Sequence, residues 1–180
     1  MANHMFVVTG GPGSGKTTLI EALAARGFRT MPEAGRAIIQ DQVRIGGAAL
    51  PWADRAAFAE LMLSWELRSW REASAIEAIA VMDRGVPDVI GYLKLCGLPV
   101  PAHVEAAARL HPYNKRVFLA PYWDVIFDQD AERKQDRHEA KATAQAMAET
   151  YGRLGYEIDE LRKTSVEARA DYVAARMRAQ

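Results

Sequence analysis

The strongest constraint on the fold is a glycine-rich stretch near the start of the chain. Residues 10–17 read GGPGSGKT and match the pattern G-x-x-x-x-G-K-[ST]. The apolar residues 5–8 before it predict a short buried strand, and residues 18–23 after it predict the start of a helix. In that context the turn and the helix start present backbone N–H groups to an anion. The sequence therefore predicts a phosphate-binding loop and a bound nucleoside triphosphate.

The loop pattern assigns roles to individual residues. Lys16 is expected to reach the β- and γ-phosphates, and the Thr17 hydroxyl is expected to ligate Mg²⁺. A glycine-rich turn of chance composition is the alternative, but it would need all eight residues to fall correctly between a strand and a helix. The predicted nucleotide-binding residues are Gly10, Gly11, Pro12, Gly13, Ser14, Gly15, Lys16, Thr17 and Thr18.

Strand-like and helix-like segments alternate along the chain, which predicts an α/β fold with a parallel sheet covered by helices. We expect one domain over residues 1–180. Leu50, Pro51 and Trp52 are predicted to open a long helix, and Thr164 with Glu167 to form a capping box at the start of the last one. Strands are predicted at residues 5–8, 28–31, 79–82 and 117–119 and from residue 155, and a long helix is predicted to follow a polar segment at 124 and end near 154.

Composition narrows the class of protein. The 23 basic and 23 acidic side chains balance, so no overall field favours nucleic acid or an anionic membrane. A single cysteine, Cys96, cannot form an internal disulfide and is expected to be a partly buried structural thiol. No apolar run has the length of a leader peptide core or a membrane span. The expectation is a cytoplasmic protein with no nucleic-acid or membrane partner, and its oligomeric state stays open.

Asp83 and Arg84 follow the third predicted strand, at the edge where open α/β sheets bind ligands. Asp83 is expected to reach Mg²⁺ directly or through water. Motor-type ATPases usually carry a water-activating glutamate at the position of Arg84, and arginine does not deprotonate. Arginine instead stabilises charge on a phosphoryl group, so the pair favours transfer to an acceptor over hydrolysis. A tight turn with a local ion pair is the alternative.

Further candidates flank this edge of the sheet. Glu33 follows the second strand and is a candidate general base for an attacking hydroxyl; otherwise it is a first-turn helix glutamate that pairs with Arg36. Arg133, Arg137 and Lys141 are spaced four apart, an unfavourable repeat unless the charges converge on a triphosphate. A solvated stripe neutralised by neighbouring acidic residues is the alternative. The predicted catalytic residues are Lys16, Glu33, Asp83, Arg84, Arg133 and Arg137, and the predicted metal ligands are Thr17 and Asp83.

The remaining polar and aromatic residues leave alternatives open. Asp88 is either directed at an acceptor or a surface carboxylate. The histidines lack metal-ligand spacing, and residues 114–117 (NKRV) lack the aspartate of the guanine-reading pattern N-K-x-D. Four aromatic residues are expected either to line an acceptor pocket or to belong to the core, with Trp65 assigned to the core: Trp52, Trp65, Trp70 and Tyr92.

Taken in order, these pieces resemble the nucleoside- and nucleotide-kinase branch of the P-loop proteins. More narrowly, DRGVPD at 83–88, GYE at 155–157 and SVEAR at 165–169 are similar to small bacterial AAA-domain ATPase-like proteins. Those proteins are in turn similar to the ribosylnicotinamide kinase domain of bifunctional NAD regulators. One departure is that many deoxynucleoside kinases follow their base glutamate with proline, whereas Ala34 follows Glu33 here.

The resemblance implies a fold and a reaction. It implies the P-loop NTPase fold, a five-stranded parallel sheet in the order 2-3-1-4-5 sandwiched by helices, with a lid at about residues 122–141. It implies ATP and Mg²⁺ as cofactors, and a small-molecule acceptor bound among Glu33, the helices around residues 52–70, and Asp88. The leading hypothesis is a small-molecule kinase. The alternatives are a nucleotide-dependent switch acting through a protein partner, and a stand-alone ATPase.

Overall fold

A computed structural model describes residues 3–123 and 137–179. Its sheet contains five parallel strands in the order β2-β3-β1-β4-β5, which confirms the predicted fold class and strand order. The strands are β1 (Met5–Gly10), β2 (Arg29–Met31), β3 (Ala80–Asp83), β4 (Arg116–Ala120) and β5 (Glu157–Glu160).

Helices connect the strands and cover both faces of the sheet. None of the helices in the described ranges is long and apolar enough to cross a bilayer. The helices are α1 (Lys16–Ala25), α2 (Ala34–Ile45), α3 (Arg55–Ser74), α4 (Val86–Leu95), α5 (Ala102–Leu110), α6 (Arg137–Arg153) and α7 (Val166–Arg178).

The buried strand β1 divides the core into two layers. Its side chains alternate between the faces of the sheet, so Phe6 and Val8 pack with α1 and α7, while Met5 and Val7 pack on the opposite face with the end of α3 and with Tyr151 of α6. Every residue of β1 is buried. This is the pattern of a central parallel strand covered on both sides.

Side-chain caps determine where two of the helices begin. α3 begins at Arg55 because the Asp54 carboxylate accepts the Ala57 N–H over 2.9 Å, and the predicted start at residues 50–52 forms a turn instead. α7 begins after Ser165, whose hydroxyl accepts the Ala168 N–H over 3.3 Å, so the capping box predicted from Thr164 is wrong. The fifth strand likewise starts at Glu157, two residues after Gly155.

The strand register places the candidate residues along one edge of the sheet. Asp83 pairs in register with Val8, and Gly10 pairs with Ala120. The carboxyl ends of β1, β3 and β4 therefore meet where the glycine-rich loop begins. Ligands bind at this edge in open α/β sheets.

Candidate active site

The glycine-rich loop joins β1 to α1 through two left-handed glycines. Gly13 and Gly15 have φ of 65° and 75°, a region that residues with a Cβ rarely adopt. The Ser14 hydroxyl donates to the Gly11 oxygen over 2.7 Å and fastens the turn internally. Gly15 directly precedes α1, so the unpaired N–H groups of the first helical turn lie at the loop. These groups and the helix dipole form an anion-binding site.

Close packing leaves no room for side chains at the start of the loop. A Cβ on Gly10 would overlap the backbone oxygen of Ala120 at the end of β4. A Cβ on Gly11 would overlap the backbone oxygen of Ala140 in α6. The start of the loop therefore packs closely against both the sheet and α6. Gly10 and Gly11 are required because a larger residue would overlap these backbone oxygens.

Lys16 is buried against the loop backbone. Its Nζ donates to the oxygens of Gly10 and Gly11 over 3.1 and 2.8 Å, and only 6% of the residue is exposed. Its charge also acts on the Asp83 carboxylate, whose pKa it lowers in opposition to burial. The ammonium group thus lies between the loop and the end of β3.

Thr17 and Thr18 are exposed on the first turn of α1. The Thr18 hydroxyl donates to the Gly15 oxygen over 3.1 Å, within the first turn of the helix. The Thr17 side chain is thus open to a ligand at the loop. The structure brings all nine predicted nucleotide-binding residues, 10–18, into one continuous turn and helix start.

Arg169 supports the loop from α7, and sequence reasoning missed it. Its Nη1 donates to the Ser14 oxygen over 3.1 Å, and the residue is 4% exposed. Its Nε and Nη2 have no hydrogen-bond partner within the described ranges, and burial lowers its pKa. A signal was available, since Arg169 precedes Val173 and Met177 at helical spacing and so belongs to the buried face of α7.

Asp83 has the features of a Mg²⁺ ligand. It is 8% exposed, and its Oδ1 is buried with no hydrogen-bond partner among the residues described. Burial raises its pKa, whereas the Lys16 charge lowers it. The unpaired carboxylate oxygen of Asp83 and the exposed hydroxyl of Thr17 are hard oxygen donors, the type that Mg²⁺ prefers. The residues therefore fit the predicted metal.

Arg84 adopts a strained backbone conformation directly after Asp83. Its φ is 76°, and it is the one non-glycine residue with positive φ in the described part of the chain. This region costs a residue with a Cβ on the order of 1–2 kcal/mol. Its N–H donates to the Val8 oxygen over 3.1 Å, which holds the turn against β1. The strain is maintained by the contacts of the side chain.

The Arg84 guanidinium joins the loop to two carboxylates. Its Nη1 donates to the Gly10 oxygen over 3.1 Å and to Asp88 Oδ1 over 3.3 Å, and its Nε donates to Glu33 Oε1 over 3.1 Å. Burial alone would lower its pKa, but the Glu33 and Asp88 carboxylates raise it, so the group is permanently charged. Glu33, which precedes α2, thus pairs with Arg84 across the edge of the sheet.

The buried Asp88 carboxylate holds the Arg84 guanidinium in place. The carboxylate is 5% exposed and accepts hydrogen bonds from the Thr9 hydroxyl, the Gly85 N–H at 3.0 Å and the Tyr151 hydroxyl at 2.6 Å. Burial, with the Asp88 charge, raises the pKa of Tyr151 and so keeps its phenol a donor. The alternative of a surface carboxylate is wrong, because α4 places this side chain inward beneath Arg84.

A cavity of about 440 Å³ opens beside Arg84, between α2, α3, α4 and α6. Its apolar walls include Trp52, Phe58 and Tyr92, with the Phe58 and Tyr92 rings edge to face at 5.5 Å. Trp52 is more than half exposed at the rim. Its polar lining consists of Glu33, Arg55, Glu66, Arg84, Asp88, His138, Glu139 and Thr143.

Glu66 of α3 is a buried carboxyl in the cavity wall that sequence reasoning also missed. It is 4% exposed, and burial, with Asp88 second, raises its pKa well above the usual value. Phe58 and Met62 lie eight and four residues before it and also line the cavity. A glutamate in an apolar stripe of helical spacing was the available signal.

The predicted aromatic set divides between cavity and core. Trp52 and Tyr92 line the cavity, while Trp65 is partly buried and packs against the small core cluster between α2 and α3. Trp70 lies near the far end of α3, where its Nε1 donates to the Pro112 oxygen over 2.9 Å. Cys96 is partly buried, as predicted, and borders the cavity.

The histidines and the predicted lid contribute no described side chain to the loop. Within residues 3–123 and 137–179, no group of three metal-ligating side chains of the His, Cys, Asp and Glu types occurs, and His103 pairs with Glu60. Arg133 and most of the predicted lid, residues 124–136, lie outside the described residues. Arg137 begins α6, and its side chain is not among those described.

The site combines an anion-binding loop with a cavity, and the Arg84 guanidinium and its carboxylate partners lie in the cavity wall. Phosphate oxygens are matched by the loop N–H groups and by Lys16, and hard metal ions are matched by Asp83 and Thr17. A small organic molecule is matched by the cavity. Arg84 contacts the loop backbone and the cavity carboxylates together, so it lies where the two ligands would meet.

Comparison with known families supports this interpretation. The family model described as "AAA domain" matches residues 5–169, nearly the whole chain. No curated protein matches the sequence.

Solved structures of low sequence identity share the fold. Deoxyadenosine kinase from M. mycoides, with dCMP and dCDP bound, superimposes with a TM-score of 0.70 at 10% identity, covering 98% of this chain and 100% of that one. Thymidylate kinase from Ehrlichia chaffeensis gives 0.66 at 13% identity, covering 99% and 100%. Shikimate kinase from Acinetobacter baumannii, in complex with shikimate, gives 0.58 at 14% identity, covering 97% and 92%. The chain therefore has the fold of the P-loop kinases.

Proposed function

Because this chain belongs to the AAA-domain family and is a P-loop kinase-like protein, we propose that it is a small-molecule kinase. It would transfer the γ-phosphoryl group of ATP to a hydroxyl of an acceptor. The observation that carries the proposal is the position of Arg84, whose guanidinium contacts both the loop oxygen of Gly10 and the carboxylates at the cavity.

The relatives in structure support the same direction. The three compared structures bear the names of kinases, and the M. mycoides enzyme has also been solved with dATP. Their named acceptors differ, so the shared property is phosphoryl transfer to a small molecule. We propose ATP as the donor and Mg²⁺ as its metal.

In the proposed reaction the acceptor oxygen attacks the γ-phosphorus as the bond to the β–γ bridging oxygen breaks. ADP leaves with that electron pair, and the hydroxyl proton passes to Glu33, which later releases it to water. Lys16 and Arg84 stabilise the charge on the phosphoryl oxygens, because preorganised cations cost no reorganisation during the reaction. Mg²⁺ bound by Thr17 and Asp83 would neutralise β- and γ-phosphate charge.

Enclosure is the second contribution of the fold. The cavity positions the acceptor next to the loop, which replaces a bimolecular encounter with a fixed geometry. We further propose that the chain works as one domain and that residues near 122–141 act as a lid, with Arg133 and Arg137 directed at the triphosphate. That lid would exclude the water that otherwise competes for the phosphoryl group.

The test is ADP release from Mg-ATP with and without a panel of nucleosides, nucleotides, sugars and hydroxylated antibiotics. We expect at least one acceptor to raise ADP release at least tenfold above the rate with ATP alone. An unstimulated rate with every acceptor, together with tight ATP binding, would contradict the kinase and favour a nucleotide-dependent switch.

A further inference from the structure

Among the described residues, the cavity wall carries more carboxyl groups than guanidinium groups. Its carboxyl groups are Glu33, Glu66, Asp88 and Glu139, and its guanidinium groups are Arg55 and Arg84. Arg84 is engaged by Glu33 and Asp88. Arg55 is exposed, and its Nε donates to the Pro51 oxygen over 3.0 Å. Neither guanidinium forms a hydrogen bond with Glu66 among the described residues, although the charge of Arg84 acts on its carboxyl.

Glu66 has an unusual position for a carboxyl. It is 96% buried, since 4% of the residue is exposed, and it forms no hydrogen bond with any residue that the structure describes. Its carboxyl borders the cavity. A buried carboxyl without a partner is costly, so such a group is expected to serve a ligand.

The walls next to Glu66 suit a planar molecule. Phe58 and Met62 precede Glu66 on the same face of α3, and Tyr92 packs its ring against Phe58. Trp52 adds a second aromatic surface at the rim. Aromatic faces attract planar groups and cations, and their negative potential is unfavourable to an anion placed over the ring.

From this arrangement we propose that the acceptor is an uncharged or cationic alcohol whose planar body lies on the aromatic wall and whose nitrogen donor binds Glu66. The nitrogen is either a neutral N–H or an ammonium group. A phosphate or a carboxylate on the acceptor would face the Asp88 carboxylate, and the neighbouring Arg84 guanidinium is already shared by Glu33 and Asp88. Glu66 is thus a specificity-determining residue. Only the acceptor role of the ligand rests on the proposed kinase function.

The test uses three alcohols that share one ring and differ in charge. They are 4-(aminomethyl)benzyl alcohol, 4-(hydroxymethyl)benzamide and 4-(hydroxymethyl)benzoate, and their dissociation constants are measured by ligand-observed NMR without ATP. We expect the ammonium or the amide compound to bind the wild-type protein at least tenfold more tightly than the carboxylate. Equal or tighter binding of the carboxylate, or no binding of any compound, would overturn the proposal.

Variants of Glu66 distinguish the two kinds of nitrogen donor. Glu66→Gln should preserve amide binding within about threefold if the natural donor is a neutral N–H, and should remove the preference for the ammonium compound. Glu66→Leu, which fits the apolar stripe of α3, should remove both preferences. Unchanged affinities in Glu66→Leu would contradict the proposal. Glu72→Gln, at an exposed position on the same helix, is the matched control and should bind all three compounds like the wild type.

The two proposals can fail separately. If the ammonium or amide compound binds more tightly than the carboxylate but no acceptor stimulates ADP release, the proposed ligand preference of the cavity stands and the kinase function is contradicted. If only anionic acceptors stimulate ADP release, the kinase function stands and the proposed role of Glu66 in acceptor specificity is contradicted.

Discussion

The glycine-rich loop and the adjoining cavity present different parts of the chain to their ligands. The loop offers backbone N–H groups from consecutive residues, together with one ammonium group from Lys16. The cavity offers side chains from four helices, and its polar groups come from residues as far apart as Glu33 and Thr143. Backbone donors remain when a side chain is exchanged, whereas the cavity changes with every substitution.

This difference separates the two halves of the proposed reaction. Changes in the loop should affect every acceptor equally, because they act on ATP and on the transferred group. Changes in the cavity should act on the acceptor and leave the KM for ATP nearly constant. Arg84 is the exception, since it contacts both regions.

The largest effect is expected from Lys16→Ala. Removing a preorganised cation from the transferring phosphoryl group should lower kcat at least a hundredfold. The loss should be the same for all acceptors in the ADP-release assay. Lys163→Ala removes an exposed lysine far along the chain and should retain full activity. A Lys16→Ala protein with near-normal kcat would remove the loop from the mechanism.

Arg84→Ala should affect both regions together. It leaves Glu33 and Asp88 facing each other without their shared cation, and breaking a buried pair in this way costs about 3 kcal/mol. We expect a lower midpoint of urea unfolding and a rise in KM for both ATP and the acceptor. Arg84→Gly relieves the backbone strain at φ 76°, so it should be more stable than Arg84→Ala while equally inactive. Equal stability of the two variants would show that the strain contributes little.

Tyr151→Phe should sharpen the distinction between the regions. It removes the 2.6 Å hydrogen bond to Asp88, and the buried carboxylate then keeps its bonds to Thr9, Gly85 and Arg84. We expect a loss of about 1–3 kcal/mol in the free energy of unfolding. Kinetically, the KM for the acceptor should rise severalfold with the KM for ATP unchanged. A selective rise in the KM for ATP would place Asp88 on the donor side.

The sequence predicted the loop because its information is local. Eight consecutive residues determine both the turn and its chemistry, and the strand and helix beside it follow from apolar runs. The fold class followed from the alternation of elements, and the strand order came through the resemblance to kinases. The start of α3 was missed because two signals compete there, and the Asp54 cap prevailed over Pro51.

The cavity was less predictable because it is assembled over long separations. Asp88 meets partners 79 residues before it and 63 residues after it, at Thr9 and Tyr151, which no local pattern reveals. Glu66 and Arg169 were visible only as charged residues in apolar helical stripes. The sequence alone does not show whether such a charged residue is buried or solvated, because that depends on the helices and strands packed around it.

The smallest effect concerns Glu66→Gln and pH. Burial raises the pKa of Glu66 above its usual 4.5, so between these two pKa values the folded state binds one proton more than the unfolded state. The free energy of unfolding therefore falls as pH rises through that window, by at most about 1.4 kcal/mol per pH unit. Glutamine cannot ionise, so the variant should gain stability over the wild type in alkaline solution and little near pH 4. Parallel urea-unfolding curves for the two proteins across pH would contradict a buried carboxyl.

In the proposed reaction the loop delivers a phosphoryl group to an acceptor in the cavity. The most direct measurement follows the γ-phosphoryl group of ³²P-labelled ATP in the presence of an acceptor from the panel. We expect label in an organic phosphate ester, formed in equal amount to ADP and absent with Lys16→Ala. Label found only in inorganic phosphate, at a rate independent of the acceptor, would contradict it.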